Sequence, residues 1–200
     1  DGTPDLATNT NSYGVDLHEG GTGFDFNKDG AINGSFYYYT VVRGLGDMDG
    51  DGIEDLGIAG YYETVTDEFL GDLGSAGTLW VFLSADTPLP DNLTTDDATW
   101  VLPADAANAY LGLDFGSAGD LDNDGNDDLA VTGYASYMDP VLFYGPLTAG
   151  TYSPSDDPDT IFVDAPGYGI HAAGDVDADG VDDLLVGSVN ETVYLFLGSE

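Results

Sequence analysis

Apolar runs of four to six residues recur along the chain, separated by polar, glycine-rich stretches. Three of them, at 56–59, 129–132 and 184–187, follow directly on an acidic turn. Each is succeeded at a variable distance by a second run, at 78–83, 141–144 and 192–197. The runs are β-branched and aromatic and short for helices, so they predict buried strands. Segments 37–42, 111–115 and 169–173 lead into the acidic turns and read as inner strands, with 99–102 and 160–163 as outer ones. The Pro- and Asp-rich stretches 84–97 and 145–159 read as exposed connections.

The acidic turns are copies of one pattern, G-D-x-D-x-D-G-x-[DE]-D-L, beginning at Gly46, Gly119 and Gly174. Their first aspartates, Asp47, Asp120 and Asp175, are 73 and 55 residues apart. Asp1-Gly2-Thr3-Pro4-Asp5-Leu6 matches the second half of the pattern and extrapolates to a first aspartate 50 residues before Asp47. Such spacings suit one four-stranded unit per repeat with variable loops. The expected fold class is therefore all-β, with four-stranded antiparallel β-propeller blades. The expected division is a partial blade at 1–46, blades at 47–110 and 111–168, and a partial blade at 169–200, all in one domain. With three turns and half of a fourth, the chain is expected to be a piece of a longer protein, since closing a ring takes about four or more blades.

The turn has the chemistry of a cation site. A hard ion such as Ca²⁺ takes about six to eight oxygen ligands, which carboxylates and backbone carbonyls supply. Counting from the first aspartate, positions 1, 3 and 5 can converge when the chain curls, and glycine at position 6 permits the curl. Position 9 adds a fourth carboxylate, while position 7 needs only its carbonyl and so tolerates Ile53, Asn126 and Val181 alike. The candidate ligands are thus Asp47, Asp49, Asp51, Ile53 and Asp55; Asp120, Asp122, Asp124, Asn126 and Asp128; and Asp175, Asp177, Asp179, Val181 and Asp183. The acid at position 8 (Glu54, Asp127, Asp182) is expected to face solvent. An EF-hand would carry a glutamate at position 12, where Ile58, Val131 and Val186 stand instead inside apolar runs. Acidic turns without a metal would need the same ligand spacing to arise three times by chance. A further segment, Asp25 to Asn33, lies off the repeat period, contains Lys28 and reads as an Asx-rich turn rather than a site.

Composition narrows the partners. Thirty-eight acids face two Lys and Arg, a formal charge of −36, which repels nucleic acid and anionic lipid. Metal ligation and a surface adapted to high salt both fit that excess. An apolar share of 42% is too high for a disordered acidic tail. The chain has no cysteine, and no apolar run approaches a membrane span. P-loop, nucleophile and zinc-spaced motifs are lacking, and of the two histidines His171 reads as a core residue of an inner strand.

The triplicated turn, with Phe115-Gly116 before the second copy, resembles the FG-GAP repeat of integrin α-chain N-terminal β-propellers and of bacterial and archaeal surface proteins. The resemblance implies calcium in each loop, about three ions, bound by the residues named above between the first two strands of a blade. It implies an extracellular or cell-surface scaffold, non-enzymatic, that contacts protein or glycan or associates with itself. Sequons at Asn33, Asn92 and Asn190 are compatible with a surface location. Two alternatives stand beside it: a polysaccharide-degrading enzyme on a related scaffold, and a lectin-like or filament-forming module with Tyr37-Tyr38-Tyr39 and Tyr61-Tyr62 as stacking groups. For these tyrosines, packing in strands is the favoured expectation.

Overall fold

A strand with apolar side chains on both faces needs cover on both sides, and the repeated runs obtain it by stacking sheets. The computed structural model describes residues 6–9, 14–18, 30–33, 40–83, 92–134, 136–163, 167–188 and 191–199. Strands β1 (Leu6–Asn9), β2 (Gly14–His18) and β3 (Gly30–Asn33) form an antiparallel meander. β4 (Thr40–Gly46), β5 (Asp55–Gly60), β8 (Thr78–Phe82) and β10 (Trp100–Pro103) form a second, with a small hairpin of β6 (Val65–Asp67) and β7 (Gly71–Leu73) inserted between β5 and β8. A third contains β11 (Asp114–Gly119), β12 (Asp128–Thr132), β13 (Val141–Phe143) and β15 (Thr160–Ile161). The fourth contains β16 (Gly167–Gly174), β17 (Asp183–Ser188) and β18 (Val193–Phe196). The fold is all-β with several small antiparallel sheets, none of them closed. Among the described residues no helix is long and apolar enough to cross a membrane.

Three apolar cores lie between successive sheets. Val15 and Ile32 of the first meet Leu56, Ile58 and Phe82 of the second. Leu45, Leu79, Val81, Trp100 and Leu102 of the second meet Phe115, Leu129, Val131 and Phe143 of the third. Ala118, Ala130, Leu142 and Phe162 of the third meet Ile170, Leu184 and Val186 of the fourth. Strand alternation explains the division: Leu56 and Ile58 point one way, Gly57 and Ala59 the other. A side chain at Gly57 would collide with the Phe115 ring and Leu45, so this position must stay small. Among the described residues, only one face of the fourth sheet is covered, and its Leu185, Val193 and Leu195 are exposed.

The stretches expected to be exposed connections are partly structural. β9 (Asn92–Thr94) lies within 84–97 and pairs in parallel with β3 of the preceding sheet. β14 (Gly150–Thr151) lies within 145–159 and pairs in parallel with β10 of its preceding sheet. The links are anchored by isolated apolar groups: Leu93 and Leu147 are buried, and Tyr152 stacks on Trp100 at 5.2 Å and 22°. Pairing hides an outer edge that would otherwise offer free N–H and C=O groups. The alternation-based reading missed both strands because two or three residues show no period. β4, which ends at Gly46, pairs with β5 across the acidic turn.

The inner strands are tied through one carboxylate. Asp114 is buried and accepts hydrogen bonds from the N–H groups of Phe115 (3.1 Å) and Ile170 (3.2 Å). Arg43 of β4 reaches it at 3.2 Å and His171 of β16 at 3.4 Å. His171 is therefore not a core histidine: alternation turns Ile170 into the core and leaves His171 largely exposed on the uncovered face, beside Leu185. Asp114→Ala is expected to cost about 1–3 kcal/mol, because buried N–H groups lose their acceptor. Arg43→Ala, truncating a half-exposed partner, is expected to cost about 1 kcal/mol or less. Urea midpoints measure both.

Candidate metal centre

Each acidic turn joins the end of an inner strand to the start of the next: β4 to β5, β11 to β12, β16 to β17. The turn closes because its carboxylates accept the N–H groups that a tight curl leaves unpaired. At position 1, Asp47, Asp120 and Asp175 accept from the position 5 N–H at 3.0, 2.9 and 3.0 Å. Their other oxygens accept from the position 6 glycine at 2.8, 2.9 and 2.9 Å. At position 3, Asp49, Asp122 and Asp177 accept from position 5 at 3.2 Å in every loop. At position 5, Asp51, Asp124 and Asp179 accept from Ile53, Asn126 and Val181 at 2.8, 2.8 and 2.9 Å. At position 9, Asp55, Asp128 and Asp183 accept from position 2 at 2.8, 2.8 and 2.7 Å.

These bonds orient the carboxylates toward one another. Single oxygens of Asp47, Asp49 and Asp55 lie within 4.8 Å of each other, as do those of Asp120, Asp122 and Asp124, and of Asp175, Asp177 and Asp183. All three clusters could hold a metal ion, and an all-oxygen, multiply anionic donor set suits a hard divalent one. Asp51, Asp128 and Asp179 fall outside these tightest groups but are held in the same loops by the bonds above. Positions 1 and 3 are half-buried in the first two loops and exposed in the third. The position 9 aspartates are buried in all three, at 3, 0 and 0% exposure. Asp1 to Asp5 and Asp25 to Asp29 lie outside the described residues. The end of the second segment, Gly30–Asn33, is strand β3 rather than turn.

Three features were not foreseen. First, position 4 adopts the left-handed conformation throughout: Gly50 at φ 79°, Asn123 at 59° and Ala178 at 64°. Gly and Asn tolerate this; alanine does so under strain. Second, position 2 belongs to the core in the first two turns, with Met48 at 0% and Leu121 at 8% exposure, while Val176 is 54% exposed. The signal was present as an apolar residue wedged between two aspartates in every copy.

Third, position 8 does not simply face solvent. Glu54 does, but Asp127 and Asp182 are half-buried against the preceding loop. Asp182 accepts from the Asp120 N–H (3.3 Å), and its own N–H donates to the Asp120 carbonyl (3.3 Å). Asp127 sits over the α-carbon of Gly46, where any side chain would strike it. The reason is the stacking of sheets, which lays each turn against its neighbour.

Clustered acids share the cost of charge. Burial pushes Asp128 up to about 6, opposed by N–H donation from Gly145 and Leu121. Burial and then the neighbouring aspartates of the same turn raise Asp122 and Asp177. Burial also raises Asp127, with Asp182, Asp47 and Asp120 adding to it. No protein-family model matches the chain, and no curated protein matches it either.

Two outcomes follow from this geometry. Ala178→Gly is expected to stabilise the protein by about 0.5–1 kcal/mol, read as a higher urea midpoint with unchanged m-value. In chelator, stability is expected to fall as pH rises from about 4 to 6: the folded Asp128 carboxyl titrates at about 6 and the unfolded one near 3.9, so the folded state holds the extra proton. Melting temperatures across that interval measure it.

Proposed function

We propose that the three turns bind Ca²⁺ and that the chain is a calcium-stabilised, non-enzymatic scaffold of FG-GAP type, its successive sheets acting as β-propeller blades at a cell surface. The observation that carries this reading is the recurrence of the same five-bond turn, to within 0.1 Å in each bond, in three segments whose other residues differ. A turn selected only for solubility has no reason to repeat its carboxylate placement so closely. The ligands in this reading are the position 1, 3, 5 and 9 aspartates, with the carbonyls of Ile53, Asn126 and Val181.

Bound calcium would supply one thing, neutralisation of carboxylates that otherwise repel across each turn. The protein does the rest: its N–H groups pre-orient the carboxylates, and Asp127 and Asp182 at position 8 pack against the loops before theirs. Calcium-dependent stiffening of this kind suits a module that presents a surface to protein or glycan outside the cell, where Ca²⁺ is about 10⁻³ M and extracellular sites of about 10⁻⁴–10⁻³ M affinity fill.

Adding Ca²⁺ is expected to raise the melting temperature and chelator to lower it again. Saturation at about a hundred times Kd adds about 2.7 kcal/mol per site. Matched ionic strength in NaCl separates ligation from screening: equal stabilisation by NaCl alone, or a melt indifferent to chelator, sinks the metal reading. Isothermal titration is expected to count about three ions, and about two after Asp120→Ala.

A further inference from the structure

Tyrosine is concentrated at the end of the sheets opposite the acidic turns. Tyr61 and Tyr62 follow the last residue of β5, Tyr110 precedes β11, Tyr134 and Tyr137 follow β12, and Tyr168 is the second residue of β16. These six of the chain's 13 tyrosines line one cleft of about 660 Å³. Tyr61 and Tyr62, expected to pack within strands, instead sit in a turn.

Their rings form a continuous strip across three sheets. Centroids are 5.3 Å apart for Tyr61 and Tyr62, 4.9 Å for Tyr62 and Tyr110, and 5.7 Å for Tyr110 and Tyr134. Tyr134 then meets Tyr168 at 5.6 Å and Tyr137 at 6.0 Å. Ring surface remains available: Tyr62, Tyr134, Tyr137 and Tyr168 are 40, 38, 56 and 41% exposed. The cleft is also lined by Asn108, exposed and held at φ 62°, whose amide both donates and accepts. None of the described lining residues is charged, in a chain with 38 acids.

We propose that this cleft binds a neutral oligosaccharide. A sugar ring presents a C–H face that packs on an aromatic ring and a rim of hydroxyls that hydrogen-bond to tyrosine hydroxyls and an amide. The volume lies within the range of about 300–1,000 Å³ usual for small-molecule sites and exceeds the needs of one sugar, so several units fit along the strip. Acidic glycans are disfavoured by the net charge of −36 and by the lack of any cation among the described lining residues. Aromatic grooves also take proline-rich peptides. Here most neighbouring rings touch edge to face or tilted, and the near-parallel pair Tyr134 and Tyr137 has its centroids only 6.0 Å apart, leaving no slot for a pyrrolidine between rings. The proposal rests on the reading of the chain as a binding scaffold and does not depend on the metal.

The test is isothermal titration of the Ca²⁺-supplemented protein with the tetrasaccharides of β-1,4-glucose, α-1,4-glucose, β-1,3-glucose, β-1,4-mannose and β-1,4-N-acetylglucosamine, beside polygalacturonate and a decaproline peptide. Saturable binding of at least one neutral tetrasaccharide is expected. Tyr62→Ala and Tyr134→Ala should each weaken it about tenfold or more, with the melting temperature unchanged. Tyr→Phe at the same positions, which keeps the ring, should retain most of the affinity. Binding of decaproline or polygalacturonate alone, binding indifferent to both alanine variants, or no binding at all would overturn the proposal. Melts of the same samples with and without chelator keep the two readings apart. Calcium-dependent stability with no glycan binding defeats the cleft alone; glycan binding with a chelator-insensitive melt defeats the metal alone.

Discussion

No sheet in this protein can stand by itself. Strands β5 and β12, in the middle of the second and third sheets, are buried on both faces, so exposing either face would leave a row of apolar side chains in water at about 25 cal/mol per Å². Leu56 and Ile58 need the first sheet, while the small surface of Gly57 and Ala59 needs Phe115 of the third. Stability is consequently a property of neighbours, as in repeat proteins whose units contact only the next in line. The geometry of the turns follows from the same stacking, because it lays loop against loop and brings Asp182 to the backbone of Asp120.

This arrangement places two opposed demands at opposite ends of the strands. At one end, carboxylates are packed closely enough to raise one another's proton affinity, and each turn is shaped by N–H donors that such charges attract. At the other end, uncharged tyrosines gather where the same strands leave the core. In a chain with so large a charge excess, the described residues that line this cleft are uncharged, so the cleft and the acidic turns differ in what they can meet.

Much of the fold was legible in the sequence because burial on both faces writes an unbroken apolar run, and the acidic turns mark where each run begins. The predicted strands at 56–59, 129–132 and 184–187 are the cores of β5, β12 and β17. What escaped notice depends on partners distant in sequence. Nothing local marks Asp127 and Asp182 as residues that pack on a preceding loop. The left-handed Ala178 was hidden because alanine is a poor advertisement of that conformation. β9 and β14 are three- and two-residue strands set by the sheet they join, not by their own pattern. The spacing of the carboxylates in the turns was plain, since side-chain bonds there span only two to seven residues.

The parallel links formed by β9 and β14 carry an implication for how the chain is made. Each outer edge is sealed by residues that emerge from the ribosome later than the sheet they seal. A nascent sheet therefore waits, with one edge open, until some fifty residues more have been translated, at rates of about 5–20 residues per second. During those seconds its open edge is available to any other strand nearby. Acidic residues spread densely through the chain would keep such nascent edges on crowded polysomes from finding one another.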